Sequence, residues 1–422
     1  MGRDAGRLRH VVRYFTLFAG LGGLFVAGAL LHPQFLTIAN QRDVLGQVSI
    51  NGILAVGMTL VILTAGIDLS VGSVMSLCTV VCAMLLMERP AGYFSLTRAH
   101  WIVLPAILWP LLLLRAWRSR RTNGGSSLPR WLGAVAFAVF GALALAALLA
   151  LPLLFGLPQG LSTVGVLLVV PLVGGLMGLI NGVIITKTRL QPFIVTLAMM
   201  VSAVGLAKFI AGQGGQIHAI YTGDGERAGA PASFEQLGAT ILTVGQETLR
   251  NGNVRDLKLL PIPGLFLIGA WLCVAFVLHK LPLGRYIFAV GGNEEASRLA
   301  GVPVGGVKVF VYTACGVLAG LAAVLYCAQY TQGKADAGQG KELDAIAAVV
   351  IGGTSLMGGR GSILGTLVGV MIFGYLTNIL QLKAVSSEIQ DILKGVIIVV
   401  AAVAQSGDVL GGLRSLLLRR RM

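Results

Sequence analysis

Charge is scarce in this sequence. Lys, Arg, Asp and Glu together make up 12% of the 422 residues, about half the usual share in soluble domains. Hydrophobic residues make up 56%, so a soluble chain of this composition would leave more apolar surface in water than monomers tolerate. The shortage of charge therefore excludes an ordinary soluble domain and predicts a protein embedded in a membrane.

Motifs for nucleotide, metal and nucleophile chemistry are also lacking. No G-x-x-x-x-G-K-[ST] phosphate loop is present, because Gly340–Lys341 is followed by Glu342 and Ala335 stands where the first glycine would be. The five cysteines include no C-x-x-C pair, and the five histidines show no ligand spacing. We therefore predict no catalytic residue, no metal site and no cofactor in this chain, and a protein that is not an enzyme.

The net charge of +15 is not spread as in a nucleic-acid-binding protein. Its basic residues gather at the ends of apolar segments, a pattern typical of cytoplasmic loops beside anionic lipid. We predict contact with membrane lipids and none with nucleic acid. The clusters are Arg3, Arg7, Arg9 and Arg13; Arg115, Arg118, Arg120, Arg121 and Arg130; and Arg414, Arg419, Arg420 and Arg421.

The apolar segments predict an all-α polytopic membrane protein of about 10–12 transmembrane helices, some of them broken or half-helices. Both termini are expected in the cytoplasm. We divide the chain into a basic N-terminus (1–13), a transmembrane domain (14–405) and a basic tail (406–422). Within the transmembrane domain we distinguish an inserted hairpin (88–160), an external segment (212–263) and a polar cytoplasmic segment (282–306).

Spacing within these segments predicts further detail. Phe234, Leu237, Ile241 and Val244 recur at helical intervals and predict a surface helix in the external segment. Small residues at Gly174, Gly175 and Gly178, at Gly316 and Gly320, and at Gly361, Gly365 and Gly369 predict faces on which helices approach closely. The last set suits either a dimer contact or a contact within the chain.

The segment 282–306 contains the signals of a short, well-terminated helix. Asn293 can act as the N-cap, Glu294 and Glu295 favour the first turn, and Gly301 suits a left-handed C-terminus before Pro303. A helix of about two turns is unstable alone in water, so it is expected to dock on something. Two interpretations are open: a docking helix for a soluble partner, or an ordinary capped helix within a loop.

Two acids lie inside otherwise apolar stretches. A helix break is predicted at Thr64–Ser70, where Asp68 can cap the following helix or line a polar pathway. Asp344 likewise opens a glycine-interrupted helix, around Asp344–Leu356. Phe193 can face a sugar ring or serve in core or lipid packing. As candidate pathway or gate residues we take Asn51, Asp68, Ser70, Phe193, Asp344 and Thr354.

Three stretches resemble one known family. GGNEEASRLAGV (291–302), NGILAVGMTLVILTAGIDLSVGS (Asn51–Ser73) and ELDAIAAVVIGGTSLMGGRG (Glu342–Gly361) are similar to permease subunits of bacterial ATP-binding-cassette importers for ribose, xylose, galactose and related sugars. That family commonly has two glycines before Ile-Asp-Leu-Ser, where this chain has Ala65–Gly66. The difference argues against a very tight backbone approach at residue 65.

The resemblance implies an importer-permease bundle in the bacterial inner membrane. A second permease copy or a similar partner would enclose the pathway, an external binding protein would deliver the monosaccharide, and a separate cytoplasmic ATPase would bind ATP and Mg. It implies ATPase coupling at Gly292, Asn293, Glu294, Glu295, Ala296, Arg298, Leu299 and Gly301.

Two other classes of function remain open. An ion-coupled secondary sugar transporter would need intramembrane acids, for which Asp68 and Asp344 are the candidates. A membrane-embedded transferase acting on lipid-linked sugar would need several acids and bases at one membrane face, and the sequence does not show them.

Overall fold

The computed structural model describes residues 2–87, 161–212, 217–221, 229–248 and 254–405. The inserted hairpin 88–160, the tail 406–422 and parts of the external segment lie outside them. The described helices, in chain order, are α1 Gly2–Leu31, α2 Ile38–Leu63, α3 Val71–Leu86, α4 Thr163–Thr188, α5 Pro192–Ala211, α6 Ala232–Gly238, α7 Ile262–Lys280, α8 Pro282–Gly292, α9 Glu294–Leu299, α10 Val304–Tyr330, α11 Lys341–Ile351, α12 Ile363–Leu382 and α13 Ser387–Gln405.

The fold is that of an all-α membrane protein with little sheet, as predicted. Six described helices are long and apolar enough to cross a membrane, namely α2, α4, α5, α7, α10 and α12. Phe15–Leu31 and Val71–Leu86 are shorter apolar helical stretches. Helix α1 continues without a break across residue 13, where the sequence suggested a boundary.

Four short strands complete the described elements. They are β1 His218–Ala219, β2 Thr240–Thr248, β3 Val254–Pro261 and β4 Gln332–Gly333. Strand β1 pairs antiparallel with β4, and β2 pairs antiparallel with β3.

The predicted surface helix through Phe234 and Val244 is wrong in its second half. Helix α6 ends at Gly238, and Ile241 and Val244 lie on strand β2. A methyl group on Gly238 would collide with the carbonyl oxygen of Ala328, so the chain passes that point without a side chain. The β-branched run that follows suits a strand, although its apolar spacing also fits a helix.

The chain divides into two compact units. The first takes its described residues from Met1–Val71, Ala239–Leu299 and Gly340–Met422, and the second from Gly72–Gly238 and Ala300–Gln339. The chain therefore passes twice from the first unit to the second and back.

Helix α2 is the core of the first unit. From Ile50 to Leu63 nearly every residue is buried except the half-buried Asn51, as expected of a helix that is apolar on all sides. Three pairs of polar contacts join α2 to α12. Asn40 and Asn378 exchange amide hydrogen bonds of 3.0 and 2.7 Å. The hydroxyls of Thr59 and Thr366 lie 2.8 Å apart, and Tyr375 donates to Gln41 Oε1 at 2.8 Å.

Glycines hold the second unit together. Methyl groups on Gly174 and Gly178 of α4 would collide with the carbonyl oxygens of Gly316 and Tyr312 on α10, and one on Gly320 would lie 2.6 Å from Pro171 Cα. The two backbones therefore approach closely along the glycine faces, which confirms the packing predicted for these helices.

Candidate functional site

The cap of helix α9 has the geometry that the sequence predicts. Asn293 separates α8 from α9 in an extended conformation, with φ −162°, and its Oδ1 accepts a hydrogen bond from Ala296 N at 2.9 Å. Gly301 follows the helix with φ +82°, a conformation that glycine adopts at low cost. The short helix therefore begins after the Asn293 cap and ends before Gly301, as the sequence predicts.

The surface of α9 is charged and open. Arg298 lies 3.2 Å from Glu294 and 3.3 Å from Glu295, and all three side chains are more than 40% exposed. Exposed pairs of this kind contribute little to stability, so a partner can engage these side chains at small cost. Leu299 is 82% exposed, whereas Ser297 is buried. The inward role of Ser297 was not predicted, because a serine in a polar segment carries no signal of burial.

Three stretches that are distant in the sequence meet beside α8. We call their meeting point the glycine node and define it as Leu63, Ala65, Gly291, Gly358 and Gly359. The amide of Gly359 donates to the carbonyl oxygen of Leu63 at 3.0 Å. A methyl group on Gly291 would collide with that oxygen and lie 2.5 Å from the Gly359 nitrogen. The end of α8 thus rests directly on backbone from two other stretches.

The expectation of a looser approach at residue 65 is wrong. Ala65 takes a left-handed conformation with φ +58°, which costs a residue with a Cβ about 1–2 kcal/mol. A methyl group on Gly358 would lie 2.6 Å from the Ala65 nitrogen and 2.8 Å from its Cβ. The close approach survives because the opposing residue, Gly358, is itself a glycine.

Asp68 closes the turn that follows α2. Its Oδ1 accepts from the nitrogen of Ser70 at 2.9 Å and from Ser70 Oγ at 2.6 Å, and both residues are buried. Helix α3 begins at Val71, so Asp68 lies too far upstream to be its N-cap. The capping interpretation is corrected: the carboxylate stabilises the turn before the helix.

The loop between α11 and α12 is built from glycines in left-handed conformations. Gly353, Gly358 and Gly359 have φ values of +83°, +78° and +68°. Within this loop Thr354 is fully buried, and its Oγ1 makes no hydrogen bond within the described part of the chain. Helix α11 ends at Ile351, before the predicted limit of Leu356, because the glycine pair at 352–353 interrupts it.

A cluster of charged and polar side chains surrounds the start of α11. Lys341 donates to Asn51 Oδ1 on α2 at 2.9 Å. Lys394 on α13 lies 3.3 Å from Asp344 and 3.3 Å from Asp391. Asn51 and Asp344 were among the candidate pathway residues predicted from the sequence, whereas Lys341 and Lys394 were not. Lys394 could have been found, since it is the one base in residues 389–404 and a base inside a membrane span requires a partner.

The glycines at 361, 365 and 369 lie against other residues of this chain. Methyl groups on Gly365 and Gly369 would collide with the carbonyl oxygens of Gly352 and Ala348, and one on Gly361 would lie 2.6 Å from Thr354 Cγ2. This face of α12 therefore packs on α11 and the loop that follows it.

Phe193 belongs to the second unit. It lies in the first turn of α5 and is 50% exposed. The other candidate pathway residues, Asn51, Asp68, Ser70, Asp344 and Thr354, all belong to the first unit.

The described residues contain no group of three or more His, Cys, Asp or Glu side chains placed to hold a metal ion. What they do contain is an exposed helix, α9, that follows α8, whose last residues touch the backbone of Leu63 and Gly359 directly. Such an arrangement can transmit a displacement, because the parts touch through backbone atoms and no side chain lies between them.

Comparison with known proteins gives consistent matches. A family described as branched-chain amino acid transport system / permease component matches residues 127–402. The ribose import permease protein RbsC of Escherichia coli (strain K12) is 35% identical over 376 residues, covering 89% of this chain and 88% of that protein. RbsC of Bacillus subtilis (strain 168) is 32% identical over 384 residues, covering 91% and 90%.

A third relative is named for another sugar. The xylose transport system permease protein XylH of Escherichia coli (strain K12) is 32% identical over 376 residues, covering 87% of this chain and 84% of that protein. No solved structure matches the chain.

Proposed function

This chain belongs to the family of branched-chain amino acid transport system permease components, and from that premise we propose that it carries a monosaccharide across the bacterial inner membrane. It is the permease subunit of an ATP-binding-cassette importer, a transport component rather than an enzyme. The comparisons do not favour an ion-coupled secondary transporter.

The proposed substrate class follows from the relatives. Permeases named for ribose, xylose and fructose align over most of the chain. A pentose or hexose of the ribose, xylose or galactose type is therefore the proposed cargo, and ribose is the first to test.

The membership implies two kinds of partner, an ATPase and a substrate-binding protein. Nucleotide and Mg belong to the ATPase in such systems. We infer in addition that two permease copies, or one with a similar partner, enclose the pathway. We also infer that both termini face the cytoplasm, as the basic residues at both ends favour.

We propose that α9 is the docking helix for the ATPase. The exposure of Glu294, Glu295, Arg298 and Leu299 supports this role. The single observation that carries the mechanism is the hydrogen bond from Gly359 N to Leu63 O with Gly291 pressed against it. A push on α9 and α8 would move α2 and the loop before α12 together and so change which side the spans open toward.

Reconstitution tests the transport function. Proteoliposomes should contain the permease with the ATPase that co-purifies with it, and should be supplied with a ribose-binding protein. Uptake of labelled ribose is expected to require ATP and all three proteins. Passage of ribose through the permease alone at the full rate would contradict the proposal, as would uptake that stops with a proton or sodium ionophore while ATP remains.

A matched pair of variants tests the docking helix. Replacing Glu294 and Arg298 by Ala should weaken co-purification of the ATPase and leave membrane insertion intact. The control replaces Arg42 and Asp43 by Ala; this second ion pair, of 2.9 Å and with side chains 33% and 64% exposed, lies at the other end of α2, and its loss should leave co-purification unchanged. Equal recovery of the ATPase with both double variants would count against α9.

A further inference from the structure

We propose that a second surface, the turn Ser355–Arg360, docks on the same ATPase beside α9. We call it the Met357 turn. The inference rests on the proposed function, since it presumes that an ATPase binds at α9. It adds a contact that neither the family match nor the relatives' names assign.

The Met357 turn presents a large apolar side chain to the outside. Met357 is 83% exposed, and Arg360, at the end of the turn, is exposed as well. Methionine is flexible and polarizable, which suits it to contacts with a partner surface. Of the neighbouring positions, Leu356 is half-buried, Gly358 is buried and Gly359 is half-buried. The methionine is therefore the part of the turn that a partner would meet first.

The turn is held in shape by its own backbone. Ser355 N donates to Arg360 O at 2.8 Å, Gly358 N donates to Ser355 O at 2.9 Å, and Met357 N donates to Ser355 Oγ at 3.3 Å. A tip fixed in this way loses little conformational entropy when a partner covers it.

Its position places the turn next to α9. A methyl group on Gly359 would lie 2.7 Å from both the nitrogen and the Cα of Gly292, and Gly292 is the residue immediately before the Asn293 cap. The turn and the docking helix thus lie at the same end of the first unit.

The size of a stable interface supports a second contact. Helix α9 has six residues, whereas specific protein–protein interfaces involve about 20–30 residues on each side. An ATPase seated on α9 must therefore cover surface around it, and the Met357 turn is joined to that surface through Gly359 and Gly292.

The contact would give the ATPase a second point at which to act on the loop before α12. The turn follows α11 after the three residues 352–354, and α11 carries the cluster of Lys341 and Asp344. Pressure on Met357 would act on this loop and on α11 directly, whereas pressure on α9 would reach the same loop, and Leu63, through α8.

Site-specific photocrosslinking tests the inference in the full chain. A benzophenone amino acid is placed at Met357, at Leu299 as a probe of α9, or at Leu36, which is 56% exposed at the far end of α2. The probes are activated in native membranes, and the products are identified by mass spectrometry. We expect the ATPase to be crosslinked from positions 299 and 357 and not from 36.

The outcomes separate the two proposals. An ATPase product from position 299 with only lipid, or no product, from position 357 overturns the second contact and leaves the proposed function standing. Absence of the ATPase from position 299 overturns the docking role of α9 itself.

An affinity measurement gives a second readout. Met357→Ser in the full-length permease should weaken ATPase binding about tenfold, because burial of a methionine side chain is lost. Leu36→Ser, the matched exposed control, should bind as the wild type does. Equal affinity of the two variants would overturn the inference.

Discussion

Gly291→Ala is the sharpest test of the glycine node. The new methyl group would collide with Leu63 O and lie 2.5 Å from the nitrogen of Gly359. Both neighbours are backbone, so no flexible side chain can move aside. Overpacking of this kind costs about 1–3 kcal/mol, and the hydrogen bond between Gly359 and Leu63 adds about 1 kcal/mol if it is lost. The better helix propensity of alanine returns at most about 1 kcal/mol.

The net cost of about 1–3 kcal/mol corresponds to a factor of roughly 5–150 in the equilibrium between an intact and a separated node. The control is Gly269→Ala on α7, where a methyl group meets nothing within 4 Å. In proteoliposomes with ATPase and binding protein, we expect ribose taken up per ATP hydrolysed to fall at least fivefold for Gly291→Ala and to stay unchanged for the control. Co-purification of the ATPase should persist in both, because the surface of α9 is untouched. Wild-type uptake by Gly291→Ala would refute the reasoning.

Three further substitutions probe the first unit. Ala65→Gly should raise the Tm of the purified protein by about 1–2 °C, since relief of the left-handed alanine exceeds the entropic cost of glycine; a lower Tm would contradict the strain. Asp344→Asn should lower the Tm clearly more than Asp391→Asn. The Asp344 side chain is 13% exposed and that of Asp391 74% exposed, so loss of the Asp344 carboxylate leaves the half-buried Lys394 charge without its more buried partner. Equal falls in Tm would show that the ion pair of Lys394 with Asp344 contributes no more to stability than the pair with Asp391. Asp68→Asn should keep the wild-type Tm and most of the transport, since the amide oxygen can accept both hydrogen bonds that the carboxylate accepts; loss of transport at an unchanged Tm would show that the charge itself is required.

Local chemistry explains what the sequence predicts well. The Asn293 cap and the turn at Gly301 depend on residues within one or two turns of each other, so their spacing is sufficient evidence. The glycine faces of α4 and α10 were found for the same reason, because close packing of membrane helices needs small residues at regular intervals.

The features that the sequence could not predict depend on contacts between residues far apart in the chain. Leu63, Gly291 and Gly359 meet through backbone atoms, and backbone contacts leave no side-chain pattern to read. The hairpin of β2 and β3 was missed because Ile241 and Val244 fit helical spacing as well as a strand. Lys394 carried a usable signal that was not used, since it is the one base in residues 389–404.

The polar pairs between α2 and α12 have a consequence for how force travels. Asn40 with Asn378 binds the two helices near one end, Thr59 with Thr366 binds them further along, and Leu63 lies against Gly361 at the other end. These contacts join α2 to α12, and to the residues just before α12, towards both ends of a 26-residue helix roughly 39 Å long, so sliding one helix along the other would strain all of them. A movement imposed on Leu63 through α8 from the proposed docking helix α9 would therefore be passed to α12 as well as to α2.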